Sequence, residues 1–398
     1  EIVQGDWSSD VCSSDLLLTE YYCSQKFWWL TVEPERRTMN SCCAAQATKI
    51  DLSWLRSHPG QLFNTPELLD ERKSMLNNEP VASCEDTCWS AERQGRVSRR
   101  TAMKTTDRTH TDLYTSPHVL HINLGSDCNL TCSYCCKQYS TAWLRDIDMH
   151  GPYLDQERYT INANDRIVLK LGQTAIKNSD AYQTILKEIQ RFRSVEQIEI
   201  TGGEPFLYNG LPQVIKQLPV SADIFTGLGV NTDRLGKILD QLPASTTFTI
   251  SAENTGALYE FNRYGNTWDQ FRRNLDLLSS RFSYRFCSVL SNLTVHGFEQ
   301  FQQEYGSDKN LLNFCTDPDY LSASVLDPES KIQLCQIDYK YQDQEIKQTL
   351  QAEHTQQQKQ NLQQYLTEFA GRRNLSLDVF PDHFLNWLNI PQLTKESK

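Results

Sequence analysis

No apolar run in the chain approaches the roughly 20 residues that a membrane-spanning helix requires, so a helical membrane anchor is not expected. Positive charge is also short. Lysine and arginine number 39 against 50 aspartates and glutamates, a net charge of −11. Nucleic-acid binders generally present a basic face, so a nucleic-acid partner is disfavoured, leaving room only for an RNA that meets a local basic patch. No internal repeat is visible, which removes solenoid architectures. A secretory signal is missing as well, and the thirteen cysteines are odd in number and clustered at ligand-like spacings. Reduced thiols and metal are therefore favoured over a disulfide framework, and a reducing compartment, the cytoplasm, is the expected location.

What is present is the composition of an ordinary globular protein, 39% hydrophobic and 22% charged over 398 residues, with length for two to three domains. The first residues stand apart. Asp6 to Leu16 reads as the translation of a sequencing-library adapter, and position 1 is Glu rather than Met. Residues 1–16 are therefore read as an adapter-derived artefact, and Cys12 receives no role.

The rest is organised around Asp127-Cys128-Asn129-Leu130-Thr131-Cys132-Ser133-Tyr134-Cys135-Cys136, which follows a strand-like run, Val119–Leu124. Three soft thiolates at C-x3-C-x2-C spacing select an iron–sulfur cluster, zinc or copper(I). A four-iron cube on three ligands keeps one iron free of protein, so Cys136 is read as a neighbour rather than a ligand. Further on, Gln197–Thr201 reads as a strand running into Gly202-Gly203-Glu204-Pro205, where glycines allow close backbone approach to a ligand. Either motif alone is weak: three cysteines could hold zinc, and Gly-Gly could be a turn.

Both together, in this order, resemble the radical S-adenosylmethionine (radical SAM) family. The resemblance implies a [4Fe–4S] cluster on Cys128, Cys132 and Cys135, with S-adenosylmethionine chelated to the open iron. It places the backbone of Tyr134 against adenine, and Gly202, Gly203, Glu204 and Pro205 at the methionine ammonium. Ser251 and Glu253 fall where the family makes ribose and carboxylate contacts, and Asn231 and Thr232 lie on the same rim. For these strand-end polar residues a helix cap is the competing role. A reduced flavodoxin or ferredoxin-type electron donor is implied as partner. The implied activity is reductive cleavage to a 5′-deoxyadenosyl radical that abstracts a substrate hydrogen, in a peptide or protein. Modification of a nucleoside or small metabolite is the alternative, and a non-catalytic redox sensor is another.

From Pro117 the pattern alternates strand and helix, as in a parallel α/β sheet. Strands are expected at Val119–Leu124, Gln197–Thr201, Asp223–Val230, Thr246–Ser251, Tyr284–Leu290 and Leu311–Cys315. Helices are expected over Gln173–Phe192, Leu211–Gln217 and Tyr259–Ser279. Six repeats resemble the family's partial (β/α)6 TIM-like barrel, spanning 117–340. Cys287 and Cys315 are read as core.

Residues 17–93 form a separate cysteine-rich α+β module. Tyr22–Val32 is a strand candidate carrying Phe27, Trp28 and Trp29, paired in a hairpin with a strand ending at Cys42-Cys43. Thr65-Pro66-Glu67 opens a helix, and Cys84-Glu-Asp-Thr-Cys88 follows. This resembles the auxiliary-cluster (twitch or SPASM) module, which implies a second iron–sulfur cluster on Cys23, Cys42 or Cys43, Cys84 and Cys88. A zinc-stapled domain and plain buried thiols remain open. Residues 94–116 are a basic, aperiodic linker with Arg96, Arg99 and Arg100. Residues 341–398 form a helical C-terminal extension.

Overall fold

The computed structural model describes residues 20–391 except 43, 94, 96–97, 104–109, 155–159, 309 and 341. Cys43, Arg96 and the 1–16 stretch with Cys12 lie outside the described residues. Among the described residues the strands are β1 (Trp29–Glu33), β2 (Thr38–Asn40), β3 (Thr48–Lys49), β4 (Val119–Asn123), β5 (Thr131–Cys132) and β6 (Gln197–Thr201). They continue with β7 (Ala222–Thr226), β8 (Thr247–Ser251), β9 (Arg263–Tyr264), β10 (Tyr284–Leu290) and β11 (Asn310–Phe314). No helix among the described residues is long and apolar enough to cross a membrane. The architecture is mixed α/β, and the chain divides into two compact units.

The first unit comprises Glu1–Asn123, Lys177–Ile200 and Gln217–Ala222. Its strands lie in the order β6-β4-β1-β2-β3. β1 is parallel to β4, with Trp29 opposite Val119, and antiparallel to β2, with Thr31 opposite Asn40. Four of the five β1 residues are buried, as expected of a strand covered on both faces. The expected strand from Tyr22 starts late, because Ser24–Phe27 winds into a single 3-10 turn before Trp29. Phe27 and Trp29 are buried in the core, while Trp28 is half-buried. The helix Pro66–Leu76 begins on Pro66 as expected, although the Thr65 side chain makes no capping bond. Downstream, Ser179 accepts from Tyr182 N and caps Asp180–Ile189, so the expected helix Gln173–Phe192 is broken into two.

The second unit comprises Leu124–Ile176, Thr201–Lys216 and Asp223–Lys398. β7, β8, β10 and β11 are parallel neighbours in chain order, with Ile224 opposite Phe248, Cys287 opposite Ser251 and Cys287 opposite Leu311. Helices Thr232–Leu239, Trp268–Ser279 and Phe298–Tyr305 connect them. The segment read as an extension is integral to this unit. Leu362, Tyr365, Leu366 and Phe369 are fully buried in one cluster with Trp143, Tyr153 and Phe261. Helical periodicity shows that such a face exists, but not which partner covers it.

His296 sits in this core against Phe384, with ring centroids 4.8 Å apart, and its Nε2 has no hydrogen-bond partner among the described residues. Burial, partly opposed by Asp327, pulls its pKa from 6.5 down to about 4. The unfolded chain then binds the proton first as pH falls below 6.5, so stability should decline between pH 6.5 and about 4. The contribution is on the order of 2–3 kcal/mol. Thermal midpoints at pH 7, 5.5 and 4.5 should show the slope. It should flatten in His296→Phe, and an equal slope in that variant would remove His296 as the cause.

Candidate functional site

The cysteine loop leaves the end of β4, and its polar groups are bound from several sides of the second unit. Ser140 caps helix Thr141–His150 and donates through Oγ to Leu130 O at 2.6 Å. The Cys128 N–H donates to Thr141 Oγ1 at 3.2 Å, and Trp143 Nε1 donates to Cys132 O at 3.0 Å. β5 pairs with β9, setting Cys132 directly opposite Arg263. Ser133 Oγ donates to Asn262 Oδ1 at 2.6 Å. From helix Gln356–Arg373, the Tyr365 hydroxyl donates to Ser133 O, and Arg373 Nε donates to Thr131 Oγ1 at 2.9 Å.

Cys128, Cys132, Leu130, Tyr134 and the half-buried Cys135 form one apolar cluster, with Cys136 buried beside it in the main core. Burial pushes all three ligand-spaced thiols up. The next cause is Cys132 for Cys128 and Cys136 for Cys135, while Arg263 pulls Cys132 down. The three sulfurs are therefore electrostatic neighbours, and a metal binding them would displace the thiol protons. Among the described residues, no group of three or more His, Cys, Asp or Glu is placed so that it could hold a metal ion.

Three glycines from separate loops close around this loop. Gly203 has φ +49°, and a Cβ there would lie 2.2 Å from Asp127 O. Gly265, at φ +106°, would place a Cβ 2.7 Å from Asn129 O, and one on Gly229 would sit 3.0 Å from Leu130. Only a glycine fits a left-handed turn pressed against backbone. The Glu204 N–H also donates to Asp127 O at 2.8 Å. The Gly-Gly-Glu-Pro turn and the cysteine loop are thus in atomic contact.

Glu204 is 2% exposed, and its carboxylate accepts from Thr226 Oγ1 (2.7 Å), Gly227 N (3.1 Å), Phe206 N (3.2 Å) and Gly229 N (3.4 Å). Four donors fill the four lone-pair directions of a carboxylate. As arranged here, Glu204 ties the turn to the end of β7 rather than offering an acceptor to a ligand. Burial raises its pKa, opposed by these hydrogen bonds. Pro205 starts the short 3-10 turn that follows. Asn231 is exposed and caps helix Thr232–Leu239 through Asp233 N, while Ser251 is half-buried at the end of β8.

Glu253 and Tyr134 converge on a residue to which the sequence reading gave no role, Arg263. Its Nη2 meets Glu253 Oε2 at 2.7 Å and donates to the Tyr134 hydroxyl, which in turn donates to Glu253 Oε1 at 3.1 Å. Nη1 points at Cys132 Sγ, 3.8 Å away. The pair is 4% and 1% exposed, and Arg263 Nε has no partner among the described residues. Arg263 was hidden inside an expected continuous helix. Gly265, and Thr267 capping Trp268–Ser279, were the signals that this helix breaks in two.

In the first unit, Cys23, Cys84 and Cys88 share a buried cluster with Phe27, Met75 and Trp89, and Cys42 is 5% exposed. Burial, then Cys42, pushes the Cys23 thiol to about 12. Cys84 is raised by burial, with Cys88 and Cys42 adding to it. These four cysteines are therefore buried and electrostatically close without forming a metal-ready group, and the eleven described cysteines are all free thiols.

No family model and no curated protein matches the chain. Solved structures similar to it include native anSMEcpe with bound AdoMet, at 17% identity over 55% of this chain and 57% of that one, with a TM-score of 0.31. Another is anSMEcpe with bound AdoMet and Kp18Cys peptide, at 17% identity, 55% and 57% coverage and a TM-score of 0.34. Streptococcus suis SuiB bound to precursor peptide SuiA is similar at 12% identity over 89% of this chain and 71% of that one, with a TM-score of 0.33. The chain thus spans a little over half the length of the first of these, at 57%. Superpositions this loose carry neither a fold nor a function to this chain.

Proposed function

We propose that the chain is a radical SAM enzyme, with the family's partial (β/α)6 barrel over residues 117–340. In this reading Cys128, Cys132 and Cys135 hold a [4Fe–4S] cluster beside bound S-adenosylmethionine. The observation that carries the reading is the contact of Gly203 and Glu204 with Asp127, which joins two motifs far apart in the sequence. The donor set has the chemistry of the group: three clustered thiols, with Arg263 Nη1 directed at the Cys132 sulfur. When bound, the cluster and S-adenosylmethionine supply a 5′-deoxyadenosyl radical that abstracts a substrate hydrogen.

The chain's own residues position and exclude. Glu204 holds the glycine turn so that the backbone of Gly202 and Gly203 can meet the methionine ammonium. The backbone of Tyr134 would meet the adenine, and Ser251, Asn231 and Glu253 would meet the ribose and carboxylate. Arg263 keeps Glu253 and Tyr134 in place. Helix Gln356–Arg373 braces the loop from behind through Tyr365 and Arg373. Cys23, Cys42 or Cys43, Cys84 and Cys88 would hold a second metal group, an iron–sulfur cluster with zinc as runner-up. A peptide or protein is the substrate class, resting on the resemblance of that cysteine-rich unit, and a flavodoxin or ferredoxin-type donor is the matching electron source.

The test is anaerobic reconstitution with iron and sulfide, then dithionite and S-adenosylmethionine, with 5′-deoxyadenosine quantified. Formation that disappears in Cys132→Ala is the expected result. A spectroscopically verified cluster that yields none would transfer the site to a non-catalytic sensor.

A further inference from the structure

The glycine turn is held at its start by Asp127 and at its centre by the Glu204 carboxylate, and its far end has a clamp of its own. The short 3-10 turn Pro205–Leu207 ends on carbonyls that find no partner within the turn. Arg234, in the first turn of helix Thr232–Leu239, supplies the donors. Its Nε donates to Phe206 O and its Nη2 to Leu207 O, both at 2.8 Å. Nη2 also donates to Asn209 Oδ1 at 2.8 Å. A guanidinium is a rigid planar fork, so two of its nitrogens on consecutive carbonyls fix the backbone in direction as well as in place. All three acceptors are neutral, and no carboxylate pairs with Arg234 among the described residues. Arg281 makes the contrast: it meets Asp240 at 2.6 Å, at the opposite end of the same helix, in an exposed ion pair.

β7 and the helix after it thus grip the turn twice. The end of β7 puts Thr226 Oγ1 and the Gly227 and Gly229 amides on Glu204, and the helix puts Arg234 on residues 206–209. The loop between the two grips is itself fixed. Asn274, fully buried, donates through Nδ2 to Leu228 O at 2.9 Å and to Val230 O at 2.7 Å. Beside the grips lie Gly202 and Gly203, at φ +107° and +49°, the residues with the most backbone freedom to lose. An unclamped turn of this kind samples many geometries. Only the ligand-ready fraction binds, and apparent affinity falls by that fraction.

We propose that Arg234 is a positioning residue of the S-adenosylmethionine site, keeping the Gly202–Pro205 turn ligand-ready through the carbonyls of Phe206 and Leu207. The proposal rests on the reading above that this turn meets the methionine ammonium, and the experiment separates the two. Hydrogen exchange on the metal-free, full-length chain reads the clamp without any cofactor. The Leu207 and Tyr208 amides donate to Glu204 O at 2.9 Å and Pro205 O at 3.0 Å, so they report the turn. Arg234→Met should speed their exchange by about tenfold or more, the equivalent of one lost charge-assisted hydrogen bond. In the reconstituted chain, the Kd for S-adenosylmethionine and the KM for 5′-deoxyadenosine formation should both rise about tenfold, with kcat within about twofold of the parent. Arg281→Met should leave Kd and KM unchanged, even where its thermal midpoint falls as far.

Faster exchange with unchanged Kd and KM would overturn the proposal, since Arg234 would then only stabilise the fold. Unchanged exchange would overturn it too, as would a fall in kcat at constant KM. A reconstituted parent that binds no S-adenosylmethionine would remove the reading of the turn, and the proposal with it. If Arg234→Met does not fold, Arg234→Lys carries the comparison. One ammonium cannot reproduce the fork, so a few-fold rise in Kd is expected, and parent-like binding overturns the proposal.

Discussion

Gly203→Ala should lower the stability of the second unit by about 2–5 kcal/mol and abolish formation of 5′-deoxyadenosine. Two effects add. A left-handed backbone costs a residue with a Cβ about 1–2 kcal/mol. Forcing an atom into a closed contact typically costs about 1–3 kcal/mol more. The new Cβ would meet Asp127 O at 2.2 Å, and backbone cannot yield as the end of a flexible side chain can. Relief requires the cysteine loop and the glycine turn to separate, which displaces Cys128 from its partners. Gly256→Ala is the matched control: its φ is +54° and nothing lies within 4 Å of the added Cβ, so only the backbone penalty applies. The measurement is a thermal midpoint for both variants, with a fall of roughly 5–15 °C for Gly203→Ala at the sensitivity usual for this size. Equal losses in the two variants would show that the contact with Asp127 is not tight.

Glu253→Gln should be as damaging for a different reason. It leaves the Arg263 guanidinium, 4% exposed, without a counter-charge, and breaking such a buried pair costs about 3–5 kcal/mol. Removing both charges, in Glu253→Gln/Arg263→Met, should restore most of the stability, because an uncompensated buried ion is worse than none. Activity should stay low in the double variant, since Cys132 then faces no cation. Urea midpoints and hydrogen exchange across residues 247–264 read the first effect, and 5′-deoxyadenosine the second. A double variant no more stable than the single one would mean that Arg263 is solvated rather than buried.

The strands were the most legible part of the fold. β6 and β10 run over the residues their β-branched and aromatic patterns predict, Gln197–Thr201 and Tyr284–Leu290. Strand starts at β7 and β8 are displaced by one residue from the expected Asp223 and Thr246. The expected β7 end, Val230, was too late, because Gly227-Leu228-Gly229 leaves the sheet, with Leu228 at φ +53° and its carbonyl held by Asn274 Nδ2 at 2.9 Å. That departure puts the Gly227 and Gly229 amides on Glu204. Helix continuity was the weaker inference. Apolar periodicity runs on through Gly265 and Ser179, but local turn and cap chemistry divides the helices at both places.

The sequence by itself determined the donor chemistry: three thiols at C-x3-C-x2-C spacing, a glycine-rich turn at a strand end, and a second set of cysteines near the start. Spacing along the chain and side-chain softness are local properties, and they survive without any knowledge of the fold. Only the tertiary structure decided what surrounds those donors. It turned the Glu204 carboxylate inward onto four protein donors, set Arg263 opposite Cys132, and brought Tyr365 and Arg373 from a distant helix onto the cysteine loop. Each of these depends on which buried polar group lies next to which across long sequence separations. In a low-dielectric interior that adjacency sets the energy of every charge.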